Sequence, residues 1–128
     1  MTVFSKVAKK LQESSDPHAP KMLVQITGIL RNLTIDQAAT ELFISEGCLV
    51  IVAQLLSRFI NHQELVLNIV RILAKVSGKD ALLLMNSFNG EFITDLFKTL
   101  LKYKDNKTIL IRAAFVLGNL TTDFTETR

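Results

Sequence analysis

The chain is expected to fold as an all-α solenoid, a side-by-side stack of similar helical units. Three observations carry that expectation. A pattern returns three times, at residues 26–34, 69–77 and 113–121, as an apolar helical stripe closed by a small polar residue. The stripes are Ile29, Leu30 and Leu33 before Thr34; Ile72, Leu73 and Val76 before Ser77; and Val116, Leu117 and Leu120 before Thr121. Equivalent positions Asn32, Lys75 and Asn119 stand 43 and 44 residues apart, within the period of about 40–47 residues that marks helical solenoids. Gly47 and Gly90 are also 43 residues apart, each between a short apolar segment and a longer amphipathic one. Finally, the 48% hydrophobic content contains no Trp and only 7% aromatic residues. That apolar mass is aliphatic, as helices packed on helices require, and it is enough for a core.

The elements follow in order. Phe4, Val7 and Leu11 have helical spacing and open the chain with a helix. Ser14 to Pro20 is a breaker-rich loop. A long helix is expected over 21–34. Each later unit then reads as three helices. The first is short, at 36–45 and 79–88, started by Asp36 in one unit and by Ser77 with Asp80 in the next. The second spans 48–60 and 91–103, where Leu49, Val52 and Leu56 answer Ile93, Leu96 and Leu100. The third is longest, at 63–77 and 107–121. Gly47 and Gly90 supply the left-handed backbone that ends one helix and re-aims the next.

The division expected is a partial repeat at 1–34, repeats at 35–77 and 78–121, and the start of another unit or a tail at 122–128. The chain begins near a second helix and stops after a third one. It therefore reads as a piece of a longer array, with a small protein carrying degenerate end units as the alternative.

The unit resembles the armadillo repeat. Ala113, Ala114, Phe115, Val116, Leu117, Gly118, Asn119, Leu120 and Thr121 match the end of that family's third helix, with Phe115 where tryptophan is usual. Gly47 and Gly90 stand at the family's glycine between first and second helices. Leu55, Leu56, Leu100 and Leu101 are its second-helix leucines. HEAT repeats are the confusable class; the short first helix and the glycine after it favour armadillo. The resemblance implies a right-handed α-α superhelix with about two full repeats and partial repeats at the ends. It also implies that the third helices line a groove for an extended peptide.

Each third helix sets three residues at spacings of three and four, which share a face. They are Gln25, Gly28 and Asn32; Asn68, Arg71 and Lys75; and Arg112, Phe115 and Asn119. Excepting Gly28, these are the candidate partner-binding residues. Asn32 and Asn119 match the family asparagine that bonds a peptide main chain, and an amide both donates and accepts. Lys75 interrupts that pattern. Gly28, Arg71 and Phe115 occupy the tryptophan position, so the pockets that importin-like members use for lysine are absent. Arg71, Lys75 and Arg112 stand without an acid on the ladder and point to an acidic partner segment. A merely solvated face is the alternative.

Other functions find less support. The net charge of +3 is mild, and Lys9 with Lys10 is the only adjacent basic pair, so nucleic acid is disfavoured. His18 and His62 lack ligands at metal spacing, and both read as solvated loop residues. No catalytic set, phosphate loop or cofactor motif occurs, and no small-molecule substrate is expected. Cys48 is the only cysteine and reads as a small, partly buried hydrophobe. That usage suits a cytoplasmic protein, with nuclear, ciliary or cytoskeletal placement as alternatives. No apolar run suffices to span a bilayer. The expected function is a non-enzymatic interaction scaffold; the alternative is a structural segment of a larger cytoskeletal or ciliary assembly with no separate ligand.

Overall fold

The computed structural model describes residues 3–33, 38, 41, 42, 45, 47–77 and 91–126, with the side chains of 3–5, 33 and 121–126 excepted. Six helices occur among the described residues. They are α1 (Val3–Glu13), α2 (Ala19–Leu33), α3 (Cys48–Arg58), α4 (Gln63–Val76), α5 (Glu91–Lys102) and α6 (Lys107–Glu126). The short first helices expected at 36–45 and 79–88 lie outside the described residues, except that 38, 41, 42 and 45 are helical. Asp36, Asp80 and Gly90 are also outside them.

Local chemistry sets the helix starts. In the loop before α2, the Asp16 carboxylate accepts from the His18 N–H at 2.9 Å, and the Asp16 carbonyl accepts from the Ala19 N–H at 3.0 Å. Pro20 then falls in the first turn, where its missing N–H costs nothing. Gly47 precedes α3 with φ 77°, the left-handed region expected of it. His62 is not a free loop residue. Its Nδ1 accepts from the Leu65 N–H at 3.4 Å and caps α4. Asn106 caps α6 in the same way, its Oδ1 accepting from the Ile109 N–H at 3.2 Å.

Two helix ends differ from expectation. The sequence places the end of α6 at 121, yet the helix runs to Glu126. No proline or glycine follows Gly118, so nothing local stops it. Ser77 is not a helix start; it is the C-cap of α4, with its N–H donating to the Leu73 carbonyl at 2.8 Å.

The helices stack in two layers. The second helices α1, α3 and α5 form one layer, each against the next. The third helices α2, α4 and α6 form the other, again each against the next. Within each unit the partners pair across the layers: α1 with α2, α3 with α4, and α5 with α6. The result is an all-α solenoid. Its core lies between the layers and is fullest at α4, where Leu65, Val66, Ile69, Val70, Ile72, Leu73 and Val76 are fully buried.

Ile29 departs from the expected core. It is 62% exposed, whereas its equivalents Ile72 and Val116 are fully buried. The cause is lateral: α4 turns Ile72 towards α2, and α6 turns Val116 towards α4. No helix among the described residues covers the matching side of α2. Met22, at the position of Leu65, is exposed for the same reason.

Bonds between units recur at about one repeat's separation. The Tyr103 hydroxyl donates to the Ile60 carbonyl at 2.6 Å. The Asn119 amide donates to the Ser77 hydroxyl at 3.0 Å. Arg58 Nε donates to the Gln12 carbonyl at 3.2 Å.

Asp95 is the one acid buried among the described residues, between α3 and α5. Burial pushes its carboxyl above the ordinary carboxylate value and Glu91 adds to this, while a hydrogen bond from Ser57 and the charge of Lys98 oppose it. A raised folded-state value means the folded chain holds the proton more tightly than the unfolded chain. That stabilisation is complete below the unfolded value of about 4 and is lost as pH rises through the folded value. Asp95→Asn is therefore expected to raise Tm at pH 7 and to flatten the decline of Tm between acid and neutral pH. Thermal melts across that range check it.

Candidate partner-binding groove

Of the ladder residues, Gln25, Gly28, Asn32 and Asn68 line one junction of the third-helix layer, and Lys75, Arg112 and Phe115 line the next. Between α2 and α4 lies a cavity of about 400 Å³ whose lining includes Gln25, Gly28, Arg31, Asn32, Glu64 and Asn68. Between α4 and α6 lies one of about 430 Å³, lined by Ala74, Lys75, Thr108, Ile111, Arg112 and Phe115. The two are equivalent by the repeat. Arg31 corresponds to Ala74, Asn32 to Lys75, Glu64 to Thr108 and Asn68 to Arg112.

That correspondence changes the electrostatics. The first cavity holds one cation, Arg31, and one acid, Glu64. The second holds Lys75 and Arg112, with no acid in its lining. It also has an apolar surface, because Ile111 is 66% and Phe115 57% exposed. Cationic rims beside exposed apolar side chains suit a segment that combines acidic and apolar residues.

Gln25 and Asn32 are exposed on α2 and line the first cavity. Lys75 is exposed, Arg112 half-buried, and both line the second with Phe115. Arg71 is half-buried between them. Burial first, then the charges of Arg112 and Arg31, holds its guanidinium below the ordinary arginine value. Asn119 is half-buried, with its amide donating to Ser77.

Asn68 stands apart from the ladder expected for it. It is 6% exposed and bonds the neighbouring helix. Its Nδ2 donates to the Val24 carbonyl at 3.1 Å and to the Thr27 hydroxyl at 3.3 Å, and its Oδ1 accepts from Arg31 at 3.1 Å. The amide thus closes the α2–α4 junction instead of facing a ligand. The spacing rule places a residue on a helix face; it does not say that a neighbouring helix covers that face.

Arg31, Glu64, Ile111 and Thr108 belong to the cavities but not to the ladder. Arg31 adjoins Asn32 and Ile111 adjoins Arg112, so the face is wider than a single row. A width of two residues per turn would have found both.

Comparison with known proteins fits this architecture. The chain is 26% identical over 134 aligned residues to armadillo repeat-containing protein 2 of Mus musculus, covering 98% of this chain and 16% of that protein. It is 28% identical to the protein of the same name from Bos taurus, over 94% of this chain and 14% of the relative. The Homo sapiens protein of that name is 28% identical over 82% of this chain and 12% of its own length.

Over most of its length the chain is similar to armadillo repeat-containing proteins.

No family model matches the chain, and no solved structure does either. The chain spans only 12–16% of the length of these curated relatives. Among the described residues, no helix is long and apolar enough to cross a membrane.

Proposed function

We propose that this armadillo segment is a non-catalytic protein-interaction scaffold that holds an extended, acidic segment of a partner protein along the wall of α2, α4 and α6. The observation that supports this best is the α4–α6 cavity, where Lys75 and Arg112 rim exposed Ile111 and Phe115 without an acid among the lining residues. Asn32, exposed on α2, offers an amide to the partner's main chain. The buried thiol of Cys48 suits a cytoplasmic protein.

The test compares the interactors recovered with the wild-type chain and with Arg71→Glu plus Lys75→Glu. The double reversal is expected to lose the partner while moving Tm by no more than a few degrees, since the exposed Lys75 charge contributes about 0–1 kcal/mol and reversing half-buried Arg71 relieves its repulsion with Arg112 and Arg31. An unchanged set of interactors removes the groove.

A second reading has its own observation. Met22 and Ile29 leave the outer side of α2 apolar and uncovered among the described residues, 49% and 62% exposed. Such a side suits a segment that packs into a larger assembly, cytoskeletal or ciliary, with no separate ligand. Concentration-dependent self-association, abolished by Ile29→Glu, is the outcome that favours it.

A further inference from the structure

The two junctions of the third-helix wall are closed in different ways. At the first, Gly28 faces Asn68: a Cβ at Gly28 would lie 3.8 Å from the Asn68 amide nitrogen. One repeat on, the same two positions are Arg71 and Arg112. A glycine and an amide are thus replaced by two guanidiniums. The acid of the first cavity, Glu64, is replaced by Thr108. Neither Arg71 nor Arg112 forms an ion pair with an acid among the described residues, and Arg71 Nε is buried without a hydrogen-bond partner. A buried charged donor left unmade is unfavourable, and native structures rarely keep one without a use.

We infer that Arg71 and Arg112, with Lys75 at the rim, form a seat for the phosphate of a phosphoserine or phosphothreonine in the partner segment. This rests on the groove reading and specifies the acid that the groove takes. A carboxylate brings one charge and two oxygens. A phosphomonoester brings a charge of about −1.5 to −2 near pH 7 and three strong acceptor oxygens. Arginine forks match phosphate oxygens in pairs, and the Lys75 ammonium adds a point charge. Burial, and then the charges of Arg112 and Arg31, lower the affinity of Arg71 for its proton, as expected where guanidiniums stand close together. Next to the seat, Ile111 and Phe115 give an apolar neighbour in the partner a place to dock.

The test uses three blocked peptides, each with a leucine two residues from a phosphoserine, a glutamate or a serine. Binding to the full chain is followed by fluorescence anisotropy at fixed salt. The phosphopeptide is expected to bind about ten-fold more tightly than the glutamate peptide and to shift the Arg71 Nε–H resonance. Arg71→Lys keeps the charge and the stem but loses the fork. It is expected to bring the two peptides within about three-fold while leaving the thermal melt unchanged. Lys6→Gln, exposed on α1 in the other layer of helices, is expected to change nothing.

Equal affinity for the phosphoserine and glutamate peptides overturns the phosphate seat and leaves the acidic groove standing. Failure of all three peptides overturns the seat as well. The interactor comparison with the double reversal then decides the groove separately. An undiminished phosphate preference in Arg71→Lys also overturns it, as does an oligonucleotide that binds more tightly than the phosphopeptide.

Discussion

Leu73→Ala is expected to cost about 3–4 kcal/mol, the middle of the range for truncating a fully buried leucine. Leu73 is completely buried on α4, and α4 packs on α2, α3 and α6 at once. The site cannot collapse easily, because it is walled by helices from three sides. For a chain of this size the loss amounts to about 10–15 °C in Tm. Its equivalents Leu30 and Leu117 are only partly buried. The same truncation there is expected to cost about half as much, in proportion to the apolar area lost. Thermal and urea melts of the three variants check the order. A flat series, with Leu73 no worse than Leu30, contradicts the central place of α4 in the stack. Stability in such arrays sums over units and their interfaces. A defect at α4 acts on two interfaces, and one at α2 on a single interface.

Asn68→Ala is expected to cost about 2 kcal/mol. The amide makes three bonds to α2, through Val24, Thr27 and Arg31. Its loss strips Arg31 of one acceptor and leaves a gap between two helices. Asn68→Asp keeps the acceptor for Arg31 but turns a carboxylate oxygen on the Val24 carbonyl and is expected to be at least as damaging. The melts distinguish this junction role from a ligand-binding role. If Asn68→Ala leaves Tm unchanged and removes partner binding, the residue belongs to the groove after all. If it lowers Tm and spares binding below the melt, the amide holds the stack.

Much of this fold is visible in the spacing of apolar residues. The stripes that place Leu49, Val52 and Leu56 on one helix, and Ile69, Leu73 and Val76 on another, state which side of each helix meets its partner. Those residues are buried as the stripe requires. What the stripe does not encode is the lateral side, which depends on the next unit. Ile29 and Ile72 are the same residue type at the same repeat position, yet one is exposed and the other buried. Asn68 illustrates the converse, a polar residue that reads as surface and closes a junction. The site shows the same division. Lys75, Arg112 and Phe115 were legible as one face because they follow helical spacing across two units. The Arg31 and Asn68 pairing was not, since it depends on which helix lies beside which. His62 read as loop because its role rests on one local bond to Leu65.

The most direct test is the distance between the outer members of the wall. Nitroxide labels at Gln25 on α2 and Ile111 on α6, both exposed, in a Cys48→Ala background, report it by electron–electron resonance. Neighbouring helices pack about 8–10 Å apart, so two steps and the label tethers predict a single narrow distribution near ~20–25 Å. A broad distribution, or one centred beyond ~35 Å, contradicts a wall of stacked third helices.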